Sequence, residues 1–218
     1  MSGKDRSGRE YALACAEIVG GRIDRFVARK VDASGKERRG FCIAGSYRRR
    51  LPSVGDVDLV VVPKNWLDIE EIHWEFAEAC VDKELLSSGS AEAHGMVRFD
   101  NDSPEIQVDM WFTPWDQWGA ALMCWTGSDE YNRNYRGLGK KRGLSVSHLG
   151  VKRDGQLIPG SGVSEASVCK TIGIPWLHPW ERVSSCFPKQ SEPIPTWCID
   201  HMTKDFCKRE RNRRQDDA

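Results

Sequence analysis

No stretch of this chain comes near the roughly 20 consecutive apolar residues that a membrane-crossing helix needs, and no basic-then-apolar leader opens it. A membrane partner is therefore not expected. An intracellular chain is, cytoplasmic unless the basic stretch Lys208 to Arg214 acts as a nuclear address. Net charge is also missing. Lys plus Arg and Asp plus Glu each number 32, so overall charge announces no polyanionic partner. Nor do the eight cysteines include a Cys-x-x-Cys pair. Cys15, Cys42, Cys80 and Cys124 sit inside apolar patterns, where a thiol behaves as a small hydrophobe, so reduced core thiols are expected rather than a disulfide framework.

What is present is unevenly spread. Residues 133–153 carry seven Lys/Arg and no acid, whereas Asp68 to Glu92 is dominated by acids. A basic face on a neutral protein follows, either a solvated helix side or a seat for a polyanion. At 218 residues the chain can bury one core or two small ones.

Periodicity predicts a helix from Arg9 to about Lys30, weakened at Gly20-Gly21, with Tyr11, Cys15, Ile18, Val19, Ile23, Phe26 and Val27 on its apolar stripe. A polar turn then leads to a strand at Phe41 to Ala44. Trp66 to Ala79 reads as an amphipathic helix. Leu85-Leu86, Met96 to Phe99 and Ile106 to Phe112 read as antiparallel strands. Trp115 to Trp125 fits a helix, and Ser128 suits the N-cap of another that Gly143 closes. Short strands precede a last helix around Glu165 to Ile172.

The chemistry concentrates between Gly45 and Val62. Asp56 and Asp58 lie two apart on an apolar strand and therefore share a face. Like charges so placed repel unless a cation sits between them, and carboxylates are natural ligands for Mg²⁺. Upstream, Gly45-Ser46 joins a small residue and a hydroxyl to the N–H groups opening a helical turn, which makes a phosphate seat. A third acid, Asp109, stands on the strand Gln107 to Phe112.

Together these residues resemble the nucleotidyltransferase signature, and more specifically the catalytic core of the X-family DNA polymerases. Gly45-Ser46-Tyr47-Arg48-Arg49 with Gly55-Asp56-Val57-Asp58 is similar to that family's palm. Cys124-Trp125-Thr126-Gly127-Ser128-Asp129-Glu130-Tyr131-Asn132 through Arg136 is similar to its thumb motif, and Ile172-Gly173-Ile174-Pro175-Trp176 with Pro179-Trp180-Glu181-Arg182 to its closing segment. The resemblance covers roughly residues 38 to 185.

It implies an α+β fold: a palm with a mixed or antiparallel sheet plus a small C-terminal thumb. The corresponding divisions are an N-terminal helical segment (1–37), palm (38–118), thumb (119–185) and tail (186–218). It implies DNA-directed DNA polymerase activity on gapped or nicked DNA, with two Mg²⁺ ions (Mn²⁺ able to substitute) and a monomeric enzyme. Asp56 and Asp58 would hold both ions, and Asp109 the one beside the primer hydroxyl. Gly45, Ser46, Arg49 and Gly55 would hold phosphates. Cys124 and Trp125 would face the sugar of the dNTP, Asp129 and Asn132 its base, and Gly127 would also bind the nucleotide. Arg136 would reach the template strand's minor groove, while Lys140 and Lys141 fit phosphate contact and a solvated face equally.

Departures from the family pattern carry their own expectations. Gln107 stands where the family usually has Arg, which would loosen the hold on Asp109. Val54 replaces a hydroxyl residue. Cys124-Trp125 replaces Tyr-Phe, and less bulk at position 124 relaxes exclusion of an rNTP. About forty residues precede the palm, too few for the family's lyase domain and helix-hairpin-helix, and the short turn at Ser87 to Ala91 favours templated gap filling over tailing. Arg48 and Arg50 receive no role. Cys186, Cys198, His201 and Cys207 could hold zinc, though their spacing is irregular and unrelated thiols are the simpler reading. Two alternatives stand beside the polymerase: nucleotidyl transfer to a small molecule or protein, and a non-catalytic DNA-binding remnant.

Overall fold

The computed structural model describes residues 7–32 and 35–182. The tail cysteines and His201 considered for zinc, and the basic stretch from Lys208, lie outside the described residues.

Strand β1 (Ser7–Gly8) leads directly into helix α1 (Arg9–Ile23). A hairpin of β2 (Arg29–Val31) and β3 (Glu37–Arg39) follows, where sequence periodicity would carry the helix to Lys30. Gly20-Gly21 does not break α1, because its buried face (Ala12, Cys15, Ala16, Val19, Ile23) packs on the sheet, and tertiary packing outweighs the propensity penalty. Next come β4 (Phe41–Ile43), the four-residue α2 (Gly45–Arg48), β5 (Ser53–Val54), β6 (Asp56–Val61) and α3 (Ile69–Ala77). Strands β7 (Cys80–Gly89), β8 (Glu92–Val97) and β9 (Ile106–Phe112) complete the first half.

The main sheet runs β4-β6-β9-β8-β7. It is mixed: β6 and β9 pair in parallel, and the other neighbours are antiparallel. Alternation decides what each face does. Val57, Leu59 and Val61 of β6 with Val108, Met110 and Phe112 of β9 form one face and bury against α1 and α3 (Ile72, Phe76). The opposite face of those strands carries Asp56, Asp58, Gln107, Asp109 and Trp111. The register sets Asp58 beside Asp109 and Asp56 beside Gln107. One strand thus anchors a core and presents carboxylates.

The second half consists of α4 (Trp118–Thr126), α5 (Asp129–Lys141), the meander β10 (Leu144–Ser147), β11 (Gly150–Arg153) and β12 (Gln156–Leu157), and α6 (Glu165–Ile172). Ser128 caps α5 by accepting from the Tyr131 N–H at 3.3 Å, and Gly143 turns the chain with a φ of +70°. Its core gathers Met123, Tyr131, Tyr135, Val146, Val151, Val168 and Ile172. Apolar packing and a buried ion-pair network are among the contacts that join it to the first half. Ala44 and Val60 pack against Ala121 and Leu122 of α4. Beside them Arg48, given no role from sequence, forms a fork with Glu165 (2.8 and 2.9 Å), and Arg182 meets the same carboxylate at 2.8 Å.

Helix α4 crosses α6 at Gly119, where a Cβ would lie 2.0 Å from the Ser164 backbone. Gly119→Ala is expected to cost about 3 kcal/mol, because backbone cannot yield as a side-chain tip can. Urea unfolding checks this; an unchanged midpoint would refute it.

Candidate active site

A cleft of about 630 Å³ opens between α2, β6 and the α4–α5 junction. Of the residues expected to act, Gly45, Ser46, Arg49, Asp56, Asp58, Cys124, Trp125, Gly127, Asp129, Asn132 and Arg136 line it. Gly55, Asp109, Lys140 and Lys141 do not. Gly55 connects β5 to β6, and the two lysines lie in the last turn of α5, about one helical turn beyond Arg136.

The Gly45-Ser46 turn passes directly over Asp58. A Cβ at position 45 would fall 2.1 Å from Asp58 Oδ2, and its φ is +55°, so only glycine lets backbone and carboxylate meet here. The Ser46 hydroxyl is buried without a partner, as are Arg49 Nε and Asn132 Oδ1. Buried polar atoms are almost always hydrogen-bonded, so three orphans on residues that line one cleft make it a candidate ligand site. Arg49 also donates from Nη1 to the Thr126 carbonyl, which ties α2 to the end of α4. Burial pushes the Arg49 guanidinium below its ordinary range, and the nearby Asp58 and Asp56 oppose that fall. Asn132 is oriented by donating from Nδ2 to the Cys124 carbonyl at 2.7 Å. Arg136 donates to Cys124 Sγ at 3.0 Å, so the Cys124 thiol holds the guanidinium expected to face a template strand.

Burial, together with the negative charges of Asp56 and Asp109, pushes the Asp58 carboxyl up to about 7. Among the described residues no three His, Cys, Asp or Glu side chains form a ready-made metal cage. Asp109 is buried (8% exposed), and its Oδ1 accepts from Gln107 Nε2 and contacts His94 Nδ1, each at 2.7 Å. Gln107 thus grips Asp109 rather than loosening it, because two residues apart on one strand they share a face.

Sequence reasoning missed His94, His148 and the role of Trp111. His148, in the β10–β11 turn, lines the cleft. Its ring lies 6.0 Å from Trp125, and burial lowers its pKa, assisted by Arg136. Trp111 stacks on Trp125 at 3.6 Å and 7°. Only strand register could have found His94, which pairs with Asp109 across β8 and β9.

A mixed sheet that presents carboxylates beside a Gly-Ser turn, with a smaller α+β unit across the cleft, is the arrangement of a palm and a thumb. The family described as DNA polymerase beta thumb matches residues 121–183. DNA polymerase lambda of Rattus norvegicus is 26% identical over 201 residues, covering 82% of this chain and 33% of the relative. The Arabidopsis thaliana DNA polymerase lambda is 24% identical over 162 residues, 63% of this chain and 31% of the relative. The DNA polymerase/3'-5' exonuclease PolX of Bacillus subtilis (strain 168) is 28% identical over 112 residues, 51% and 19%. The chain is similar to these polymerases and, over residues 121–183, to the beta-type thumb. It spans no more than about a third of the length of these relatives.

Proposed function

We propose that the chain is a DNA-directed DNA polymerase that adds nucleotides to a primer 3′-hydroxyl in gapped or nicked duplex, releasing pyrophosphate. The carrying observation is that Ser46, Arg49 and Asn132, which line the cleft that contains Asp56 and Asp58, each carry a buried polar atom (Oγ, Nε and Oδ1) without a hydrogen-bond partner. The polymerase names of its relatives support the same reading.

The acids suit Mg²⁺, with Mn²⁺ as a substitute, in a particular way. Mg²⁺ is commonly held by one or two carboxylates completed by substrate phosphates and water, which fits two cleft-facing acids without a full protein cage. Burial and the charges of Asp56 and Asp109 raise the Asp58 carboxyl, and a bound cation would offset that repulsion. Asp56 and Asp58 would hold two ions and Asp109 one of them. When bound, such ions neutralise charge on the attacking and leaving oxygens.

The chain's own groups do the rest. Ser46 Oγ and the Arg49 guanidinium donate to the β- and γ-phosphates, with Gly55 supporting from the backbone. Asp109 accepts the primer hydroxyl's proton. Cys124 and Trp125 face the sugar, Asp129 and Asn132 the base, and Gly127 also binds the nucleotide. Arg136, with Lys140 and Lys141, contacts DNA. A cysteine at position 124 leaves room beside the 2′-carbon, so rNTPs enter alongside dNTPs. Lys140 and Lys141, exposed on α5, act by charge alone and add salt dependence.

Primer extension tests the reading. On a one-nucleotide gap with Mg²⁺ and a single dNTP, the wild type should yield a primer longer by one and pyrophosphate. No extension on gapped, nicked or single-stranded DNA, with nucleotide passing instead to a small molecule or protein, would overturn it. Ser46→Ala should raise KM for dNTP about tenfold while leaving the melting temperature unchanged or slightly higher, because the hydroxyl has no partner within the protein. A destabilised fold with unchanged KM would assign Ser46 to structure instead.

A further inference from the structure

We propose that His94 and Trp111 are positioning residues that fix the carboxylates of Asp109 and Asp58 without themselves lining the cleft. The inference deepens the polymerase reading above and rests on it for the roles of the two acids.

Register creates the arrangement. His94 of β8 pairs with Asp109 of β9, and Gln107 stands two residues before Asp109 on the same face. His94 Nδ1 and Gln107 Nε2 both meet the same oxygen, Oδ1, at 2.7 Å. A carboxylate only accepts, so the imidazole carries its proton on Nδ1 and donates. With Oδ1 engaged twice, the carboxylate cannot spin, and Oδ2 is the oxygen left for a primer hydroxyl or an ion.

The imidazole is held in turn. It stands edge-on to Trp111, centroids 5.1 Å apart at 79°, and its Nε2 lies 4.0 Å from Glu92 Oε1. Trp111 is clamped by its stack on Trp125 of α4, and its Nε1 donates to Asp58 Oδ1 at 3.3 Å. Two hydrogen bonds therefore leave one aromatic block and reach two carboxylates that the sheet sets side by side. Aromatic rings have few internal rotations and pack rigidly, which suits them to preorganise charged groups. Because Trp125 belongs to the thumb side of the cleft, the same stack sets where the thumb meets the carboxylates.

A purely structural account would have His94 do no more than satisfy a buried acid. The two accounts part in kinetics and in ion binding. In the full chain, His94→Leu should lower kcat for gapped-primer extension about tenfold to a hundredfold, with KM for dNTP changed less than about twofold. It should also weaken the binding of Mn²⁺ alone, followed by electron paramagnetic resonance, by about tenfold. His94→Asn, whose amide nitrogen stands near the place of Nδ1, should recover most of both. Trp111→Phe keeps a stackable ring but loses the donor to Asp58, and should weaken Mn²⁺ binding severalfold with the fold intact.

His94→Leu matching the wild type in kcat and Mn²⁺ affinity would overturn the proposal, as would Asn proving no better than Leu at equal melting temperature. If His94→Leu does not fold, an unchanged Mn²⁺ affinity in Trp111→Phe overturns it and a weakened one supports it. Should the wild type extend no primer, the polymerase reading falls, while the Mn²⁺ comparison still decides the positioning role.

Discussion

Asp58→Asn is expected to abolish nucleotide incorporation and at the same time make the metal-free protein harder to unfold at alkaline pH. The loss of activity, about a thousandfold or more, follows from removing one of two cleft-facing carboxylates that would bind the ions. The gain in stability follows from like charges. Asp58 lies beside Asp109 across a parallel pair and two residues from Asp56 on the same strand. Its carboxyl is raised from 3.8 to about 7, so the folded state disfavours the ionised form. For an acid shifted upward, stability is whole below the unfolded value and is lost as pH rises through the folded one. The penalty thus grows between pH 3.8 and about 7 and is complete above that. Asparagine carries no charge and can still accept from Trp111 Nε1. Its advantage should be near zero at the acid end and reach about 4 kcal/mol at alkaline pH. Thermal melts at several pH values, with and without Mg²⁺, check this. Mg²⁺ should raise the wild-type melting temperature and leave the variant's unmoved. A variant less stable than the wild type at alkaline pH without metal would contradict it.

The second large effect belongs to Glu165. Its carboxylate is 4% exposed and sits between Arg48, from the palm side of the cleft, and Arg182, which is fully buried. Burial alone would raise this acid, but Arg182 and Arg48 outweigh it and hold it down to about 2. Arg182 also donates to the Leu177 carbonyl through Nε (3.1 Å) and Nη2 (2.9 Å), and Arg48 donates to Thr126 Oγ1 at 2.6 Å. Truncating one member leaves two guanidinium groups uncompensated, and Glu165→Ala should cost about 3–5 kcal/mol. For an acid shifted downward the contribution is full above the unfolded value and lost as pH falls through the folded one. Wild-type stability should therefore decline between pH 4.5 and about 2, and Glu165→Gln should lack that component. Denaturant titrations across this range give the answer. Parallel acid profiles for wild type and Glu165→Gln would show that the network is not what fixes the thumb. Arg48 lies two residues past Ser46, so surviving Gln variant should also bind dNTP more weakly.

These two expectations differ in how far sequence could have led to them. Asp56-Val57-Asp58 displays its chemistry in one line, because period-two alternation puts both acids on one face and the apolar residues on the other. The bounds of α5 were equally plain, marked by Ser128 and Gly143. The Glu165 network was hidden, since Arg48 and its partner stand 117 residues apart and only the packing of α4 and α6 joins them. His94 was hidden for a similar reason: strand pairing decides what faces Asp109. The β2–β3 hairpin escaped periodicity because its residues are polar and mostly exposed. Strand β7 runs from Cys80, well before the Leu85-Leu86 pair that signalled it, because its exposed and bulged stretch has no regular alternation. Gln107 misled in the other direction. Judged as a missing arginine it suggested a loose acid, yet an amide on the same strand face reaches the carboxylate as directly.

The central claim is templated transfer of a nucleotide at the Asp56–Asp58 cleft. Its most direct measurement is extension of a labelled primer in a one-nucleotide gap, with each templating base in turn, each dNTP and rNTP singly, Mg²⁺, and Asp58→Asn in parallel. The expected product is one added nucleotide that changes with the templating base, with ribonucleotides accepted alongside deoxynucleotides and no product from the variant. Addition that ignores the template, or product that persists in Asp58→Asn, would contradict it.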